Sequence, residues 1–237
     1  MFSHDLHKTG IIETLSNQMK KSIENKSTQD INKLIKLHRN SLDYEYELLR
    51  IIADIFREID QLLFIPKFID DFPLDYSFIS EGNYIYYHYT NHFVKLSTIV
   101  EQFSYLINCF YRLNLDKKDC KVEKIIQKTN LTCRSLKILK DFNSKINDKK
   151  RMRNEIVHRG IVDDNELNNL VGFSYWESYL IDKNSLFKEF FEDALIDKLK
   201  AKKQLIEQTL KEDNKLVCNY SKNILKELDK DLKKQYN

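Results

Sequence analysis

Breakers of regular structure are nearly missing from this chain: four glycines and two prolines stand among 237 residues. So few over such a length favour long helices with short connections. Cysteine is sparse too, with Cys109, Cys120, Cys133 and Cys218 and no pair spaced C-x2-C. That spacing excludes a zinc ribbon, and the expected state is buried thiols in a reducing compartment. There is no strong excess of charge. Lys and Arg number 39 against 36 Asp and Glu, for a net charge of +3. No bulk polycation is present to hold nucleic acid, so any such contact must come from a local patch. No stretch reaches the apolar length of a membrane span. Met1 to Asp5 lacks a basic start followed by an apolar run, so no signal peptide is expected, and the expected location is the cytoplasm.

What is there is a core. Hydrophobic residues make up 42% of the chain, enough for one large domain or one domain with an appended element. Residues 1–30 are polar and weakly patterned and read as a short helix with a loose lead-in. Ile31, Leu34, Ile35, Leu42, Leu49, Ile52, Phe56, Ile59 and Leu63 draw one apolar stripe at helical spacing. Pro66 and Pro73 bracket an expected break from Ile65 to Gly82, apolar enough to pack on the helices as a loop. From about Tyr84, the spacing of Leu96, Ile99, Val100, Phe103, Leu106, Ile107, Phe110 and Leu113 predicts a second long helix. Asp119 is the expected N-cap of the next helix, and Asn147-Asp148 a break or a new cap. A helix over Lys149 to Arg159 ends at Gly160, in the position where left-handed backbone is common. Val162 to Asn169 reads as a loop, followed by the aromatic patch Phe173, Tyr175, Trp176 and Tyr179. Leu186 to Leu210 reads as one helix and Leu216 to Leu232 as a separate amphipathic one. No run alternates as a strand would. The expected fold is an all-α, antiparallel helical bundle: residues 1–83 form a helical extension and 84–237 the bundle proper, unless the two are one continuous domain.

The segment that carries chemistry is Arg151-Met152-Arg153-Asn154-Glu155-Ile156-Val157-His158-Arg159-Gly160. On a helix Asn154 and His158 are i and i+4 and share a face. Arg151 lies about 20° from His158 around the axis. Arg153 lies about 140° away, yet its long side chain can swing around the helix end. Guanidinium, amide and imidazole thus gather at one terminus. That set suits RNA cleavage without a metal. The 2′-hydroxyl must lose a proton as it attacks the adjacent phosphate, and an imidazole titrating near neutrality can take it or supply one to the leaving oxygen. The phosphorane gathers negative charge that a planar guanidinium can hold at two oxygens. The Asn154 amide can orient either partner. No cofactor is required.

Arg153-Asn154-x3-His158 resembles the R-x(4–6)-H signature of the HEPN superfamily, in which a polar residue commonly follows the Arg. Random placement of the Arg and His residues here gives roughly half a match to the bare pattern, and requiring the Asn lowers that to about 0.04. The resemblance implies a compact helical bundle over about residues 84–210, with the stretch before it an extension. It implies that Arg153 and His158 are catalytic and that Asn154 supports them. It further implies a homodimer in which two motifs face each other, with RNA as substrate. A toxin–antitoxin or phage-defence setting, with an antitoxin or nucleotidyltransferase partner, goes with it. In one subgroup, silenced by nucleotidylation, a Tyr stands two residues after the motif His. Gly160 stands there in this chain, so control at that site is not expected. The alternative reading is a catalytically inactive helical module that binds RNA, a nucleotide or a protein partner.

Other groupings are weaker. His88 and His92 form an H-x3-H pair, but no Glu follows the first and no third ligand is evident, so packed or surface histidines are expected rather than a metal site. The tyrosines from Tyr84 to Tyr89 could stack bases but read first as half-buried bundle residues. Glu101 is a lone acid on an apolar stretch. It could buttress Arg153, or it could simply face water. Arg151 is a supporting candidate. Lys149 and Lys150, beside the motif, are candidate contacts to the RNA backbone.

Overall fold

The computed structural model describes residues 7–24, 42–72, 79–128, 133–160, 162, 164–180 and 185–236. Among these residues there is no strand. The helices are α1 Ile11–Glu24, α2 Leu42–Asp70, α3 Glu81–Phe110, α4 Val122–Lys128, α5 Arg134–Lys145, α6 Asn147–Arg159, α7 Asn165–Leu180 and α8 Ser185–Tyr236. Two short 3-10 turns, His7–Thr9 and Lys117–Asp119, complete the regular structure. The all-α expectation holds. No described helix is long and apolar enough to cross a membrane.

The chain forms two compact units. The first takes residues 1–60, 98–145 and 217–237. Its core is drawn from α1 (Ile11, Leu15), α2 (Ile51, Ile55, Ile59), α3 (Ile99, Phe103, Phe110), α5 (Leu139, Phe142) and the end of α8 (Ile224, Leu228, Leu232), all buried. Polar contacts add to it. Thr14 Oγ1 donates to Asp229 Oδ1 at 2.7 Å, and Tyr111 donates to Asp231 at 2.7 Å. The second unit takes residues 61–97 and 146–216. Its buried side chains include Leu62, Ile65 and Ile69 of α2, Ile85, Phe93 and Leu96 of α3, Leu167 and Leu170 of α7, and Ile206 and Leu210 of α8.

Four local expectations are corrected. Pro66 does not end its helix: α2 runs through it to Asp70. A proline inside a helix costs about 3 kcal/mol, but Ile65 and Ile69 on either side are 2% and 0% exposed. Burying each contributes about 1.5–3 kcal/mol, which offsets the break. The second point is Asp119, which caps no α-helix. It closes the 3-10 turn, and its carboxylate takes Lys124 Nζ at 2.5 Å. Third, the expected loop over 162–169 is cut short, because α7 starts at Asn165, where Asp164 Oδ1 accepts the Leu167 N–H at 3.0 Å. Fourth, the two C-terminal helices are one, α8, which runs 52 residues. The stripe predicted over Ile31 to Leu42 lies almost wholly outside the described residues, as do the side chains of Tyr175, Trp176 and Tyr179.

Candidate functional site

The motif stands on α6, in the second unit. This helix starts at Asn147, after a turn at the buried Ile146, and ends at Gly160 in left-handed backbone, φ 69°. The Gly160 N–H closes the last turn on the Ile156 carbonyl at 2.8 Å. None of the thirteen residues of α6 is buried. Five of them are Lys or Arg against two acids, so this one helix carries as large an excess of positive charge as the whole chain, +3. The chain's excess of positive charge is thus matched on this one helix.

Asn154 and His158 are both exposed on α6, and Arg153 is half-buried. Arg153 Nη1 donates to Asn154 Oδ1 at 3.2 Å, so the amide steadies the guanidinium. The Arg153 Nε atom is buried with no hydrogen-bond partner among the described residues. A buried donor left so is costly. Arg151 is exposed. Arg159 is turned away to Glu155, 2.9 Å along the same helix. Lys150 is half-buried. Glu101 is exposed on α3 and belongs to the first unit.

Lys149 is not extended into solvent. Its Nζ lies 3.2 Å from Asp213 Oδ1 on α8. The other oxygen, Asp213 Oδ2, is 3.2 Å from His92 Nε2 on α3. The His92 side chain is 0% and the Asp213 side chain 7% exposed. A carboxylate only accepts, so the imidazole nitrogen donates. Burial pushes the His92 pKa below its ordinary value, against the pull of Asp213 and helped by the Lys149 charge. The ring is therefore neutral near pH 7, and Lys149 is the charge partner of Asp213. At the other end of α6, Tyr86 of α3 donates its phenol proton to the Gly160 carbonyl at 3.1 Å. The Tyr86 phenol oxygen in turn accepts the Val162 N–H at 3.1 Å.

The histidine pair thus splits. His92 serves Asp213. His88 stacks on Phe68, ring centroids 5.1 Å apart, and burial lowers its pKa. Among the described residues no group of three or more His, Cys, Asp or Glu is placed to hold a metal ion. A cavity of about 400 Å³ lined by Tyr44, Phe110, Arg112 and Tyr236 lies among first-unit residues and includes none from α6.

Asp213 and the Tyr86 bridge were not found from the sequence. For Asp213 a signal existed. Leu210, Asp213, Asn214 and Val217 fall at the three-and-four spacing of an inward face, so the two polar residues occupy positions that apolar ones would fill. Tyr86, one tyrosine among four in its stretch, carried no such mark.

A family model described as HEPN_Cthe2314-like HEPN matches residues 35–229. No curated protein and no solved structure matches the chain.

Proposed function

The chain belongs to the HEPN_Cthe2314-like HEPN family, and on that premise we propose that it is a metal-independent endoribonuclease whose site is Arg153, Asn154 and His158. The observation that carries this reading is the Arg153–Asn154 hydrogen bond on a helix that is basic, unburied and topped by an exposed His158. In this scheme His158 moves the proton, either from the attacking 2′-hydroxyl or to the leaving 5′-oxygen. Arg153, steadied by Asn154, stabilises the charge that builds on the phosphorane. Arg151 and Lys150 guide the RNA backbone. The products are a 2′,3′-cyclic phosphate and a 5′-hydroxyl. The enzyme acts in the cytoplasm as a homodimer, in a toxin or phage-defence role with an antitoxin as the natural partner.

The test is cleavage of a single-stranded RNA pool by the purified full chain with a chelator present. Cyclic-phosphate ends and their loss in His158→Ala are the expected result. Equal cutting by wild type, His158→Ala and Arg153→Lys, with folding checked in parallel, would falsify the assignment. Sedimentation at micromolar concentration tests the dimer, and a monomer there removes it.

A further inference from the structure

No residue of α6 is fully buried, and its apolar Met152 and Ile156 are only half-buried. Two polar clamps add to that partial burial, one at each end and both within the second unit. At the start, Asp213 grips Lys149, and Asp213 is itself backed by the fully buried His92. Removing the Asp213 carboxylate would leave a half-buried ammonium and a buried imidazole N–H unpaired together. At the finish, the Tyr86 hydroxyl bridges the Gly160 carbonyl and the Val162 N–H, and Val162 is 0% exposed. Arg153 stands one turn after Lys149, and His158 stands two residues before Gly160. Each reacting group is therefore within about a turn of a clamp.

We propose that Asp213 and Tyr86 are positioning residues that set the placement of Arg153 and His158, and that Lys149 is the tether Asp213 holds and makes no contact with the RNA backbone. The link to catalysis rests on the nuclease reading above; the clamping of the helix does not. The energetic logic is that a helix with no fully buried residue has a weaker preference for any one seating. A displacement of about 1 Å at a reacting group can cost a hundredfold in rate. Paired polar contacts with fixed geometry then narrow that choice to one. Asp213 suits this task because its two oxygens face different elements, one toward α3 and one toward α6.

Four full-length variants test this: Lys149→Met, Asp213→Asn, their double, and Tyr86→Phe. The first readout is hydrogen–deuterium exchange of the amides of residues 150–160, which needs no activity. Lys149→Met and Asp213→Asn should each speed exchange about tenfold, and the double should be no worse than the worse single, because one contact is lost in all three. Tyr86→Phe should speed exchange in residues 156–160 only. The second readout is kinetic. Each single variant should lower kcat about tenfold or more with KM changed less than about twofold, and the slope of log Kd against log salt should stay as in wild type. A Lys149→Met chain with wild-type exchange and a salt slope reduced by about one would make Lys149 a phosphate contact and overturn the tether. Wild-type exchange in Tyr86→Phe would overturn the second clamp. A wild-type protein that cuts no RNA sinks the nuclease reading, and the exchange arm then decides the clamping alone. Should Asp213→Asn fail to fold, Lys149→Met still tests the same contact from its exposed side.

Discussion

Gly10 and Gly160 offer one substitution in two surroundings. Both hold left-handed backbone, at φ 84° and 69°. An alanine in that region costs about 1–2 kcal/mol from its Cβ alone. At Gly160 nothing lies within 4 Å of where a Cβ would stand, so Gly160→Ala should cost about 1 kcal/mol and no more. At Gly10 the Cβ would stand 2.7 Å from Asp229 Oδ2, inside contact distance. Asp229 cannot simply step aside. It is 6% exposed, and its Oδ1 accepts the Thr14 hydroxyl at 2.7 Å. Displacing it forfeits a buried hydrogen bond, which adds about 1–3 kcal/mol. Gly10→Ala should therefore destabilise by about 3 kcal/mol, roughly three times the effect at Gly160. Urea unfolding followed by circular dichroism reads both, through the midpoint at constant slope. Equal losses in the two variants, or the larger loss at Gly160, would refute the reasoning. Thr14→Val serves as a control: it removes the same hydrogen bond without the clash and should fall between the two.

Three further outcomes are expected. His158→Ala and Arg153→Lys should each lower RNA cleavage about a hundredfold or more without lowering the urea midpoint, since His158 is exposed and Arg153→Lys removes a buried Nε that has no partner among the described residues. Arg159→Ala should do neither, because its exposed pair with Glu155 contributes at most about 0.5 kcal/mol. His88 and His92 both have pKa values lowered by burial, so below about pH 6.5 the unfolded chain binds more protons than the folded one. Stability should be full above that pH and fall as the solution is acidified toward pH 5, and His92→Gln should flatten the profile; a thermal midpoint that rises on acidification would contradict the burial of these rings. Lys202 is 8% exposed and pairs with Asp164 at 2.9 Å and Glu166 at 3.0 Å. Lys202→Met should cost about 2 kcal/mol by leaving the half-buried Asp164 unpaired, and adding Asp164→Asn should restore part of it because an amide oxygen can still cap α7; no recovery in the double variant would place the loss elsewhere.

Much of the fold could be read in advance where periodicity was strong and uninterrupted, as from Leu96 to Phe110, where the inward residues are buried as spaced. Gly160 was legible as a helix end because only a few residues adopt φ 69° without strain. What misled was polarity taken as exposure. Asp213 and Asn214 look like the separator between two helices, yet they are 5% and 7% exposed. The partners that make the burial of Asp213 possible, His92 and Lys149, lie 121 and 64 positions earlier, and no local pattern can announce a contact at that range. Pro66 misled in the opposite way, because local propensity was outweighed by burial of its neighbours. Within the site, Arg153, Asn154 and His158 were legible as one helical grouping, and they do share α6. The role of Lys149 was not, since a lysine beside basic residues reads the same whether it meets a phosphate or a distant carboxylate.

The contact between Thr14 and Asp229 joins residues 215 positions apart, and Tyr236 reaches Glu45 across 191. The first unit is thus sealed by segments made at opposite times during synthesis. Until Asp229 has been made, Thr14 of α1 lacks its partner, and that contact waits while the 215 positions between them are translated. Closure of that unit is a late event, and its rate is governed by a search across most of the chain. A message cut short, or a proteolytic nick just ahead of Ile224, would release α1 even though every residue of α1 remained in place. For this protein, damage around Asp229 is felt first at Thr14, 215 positions away.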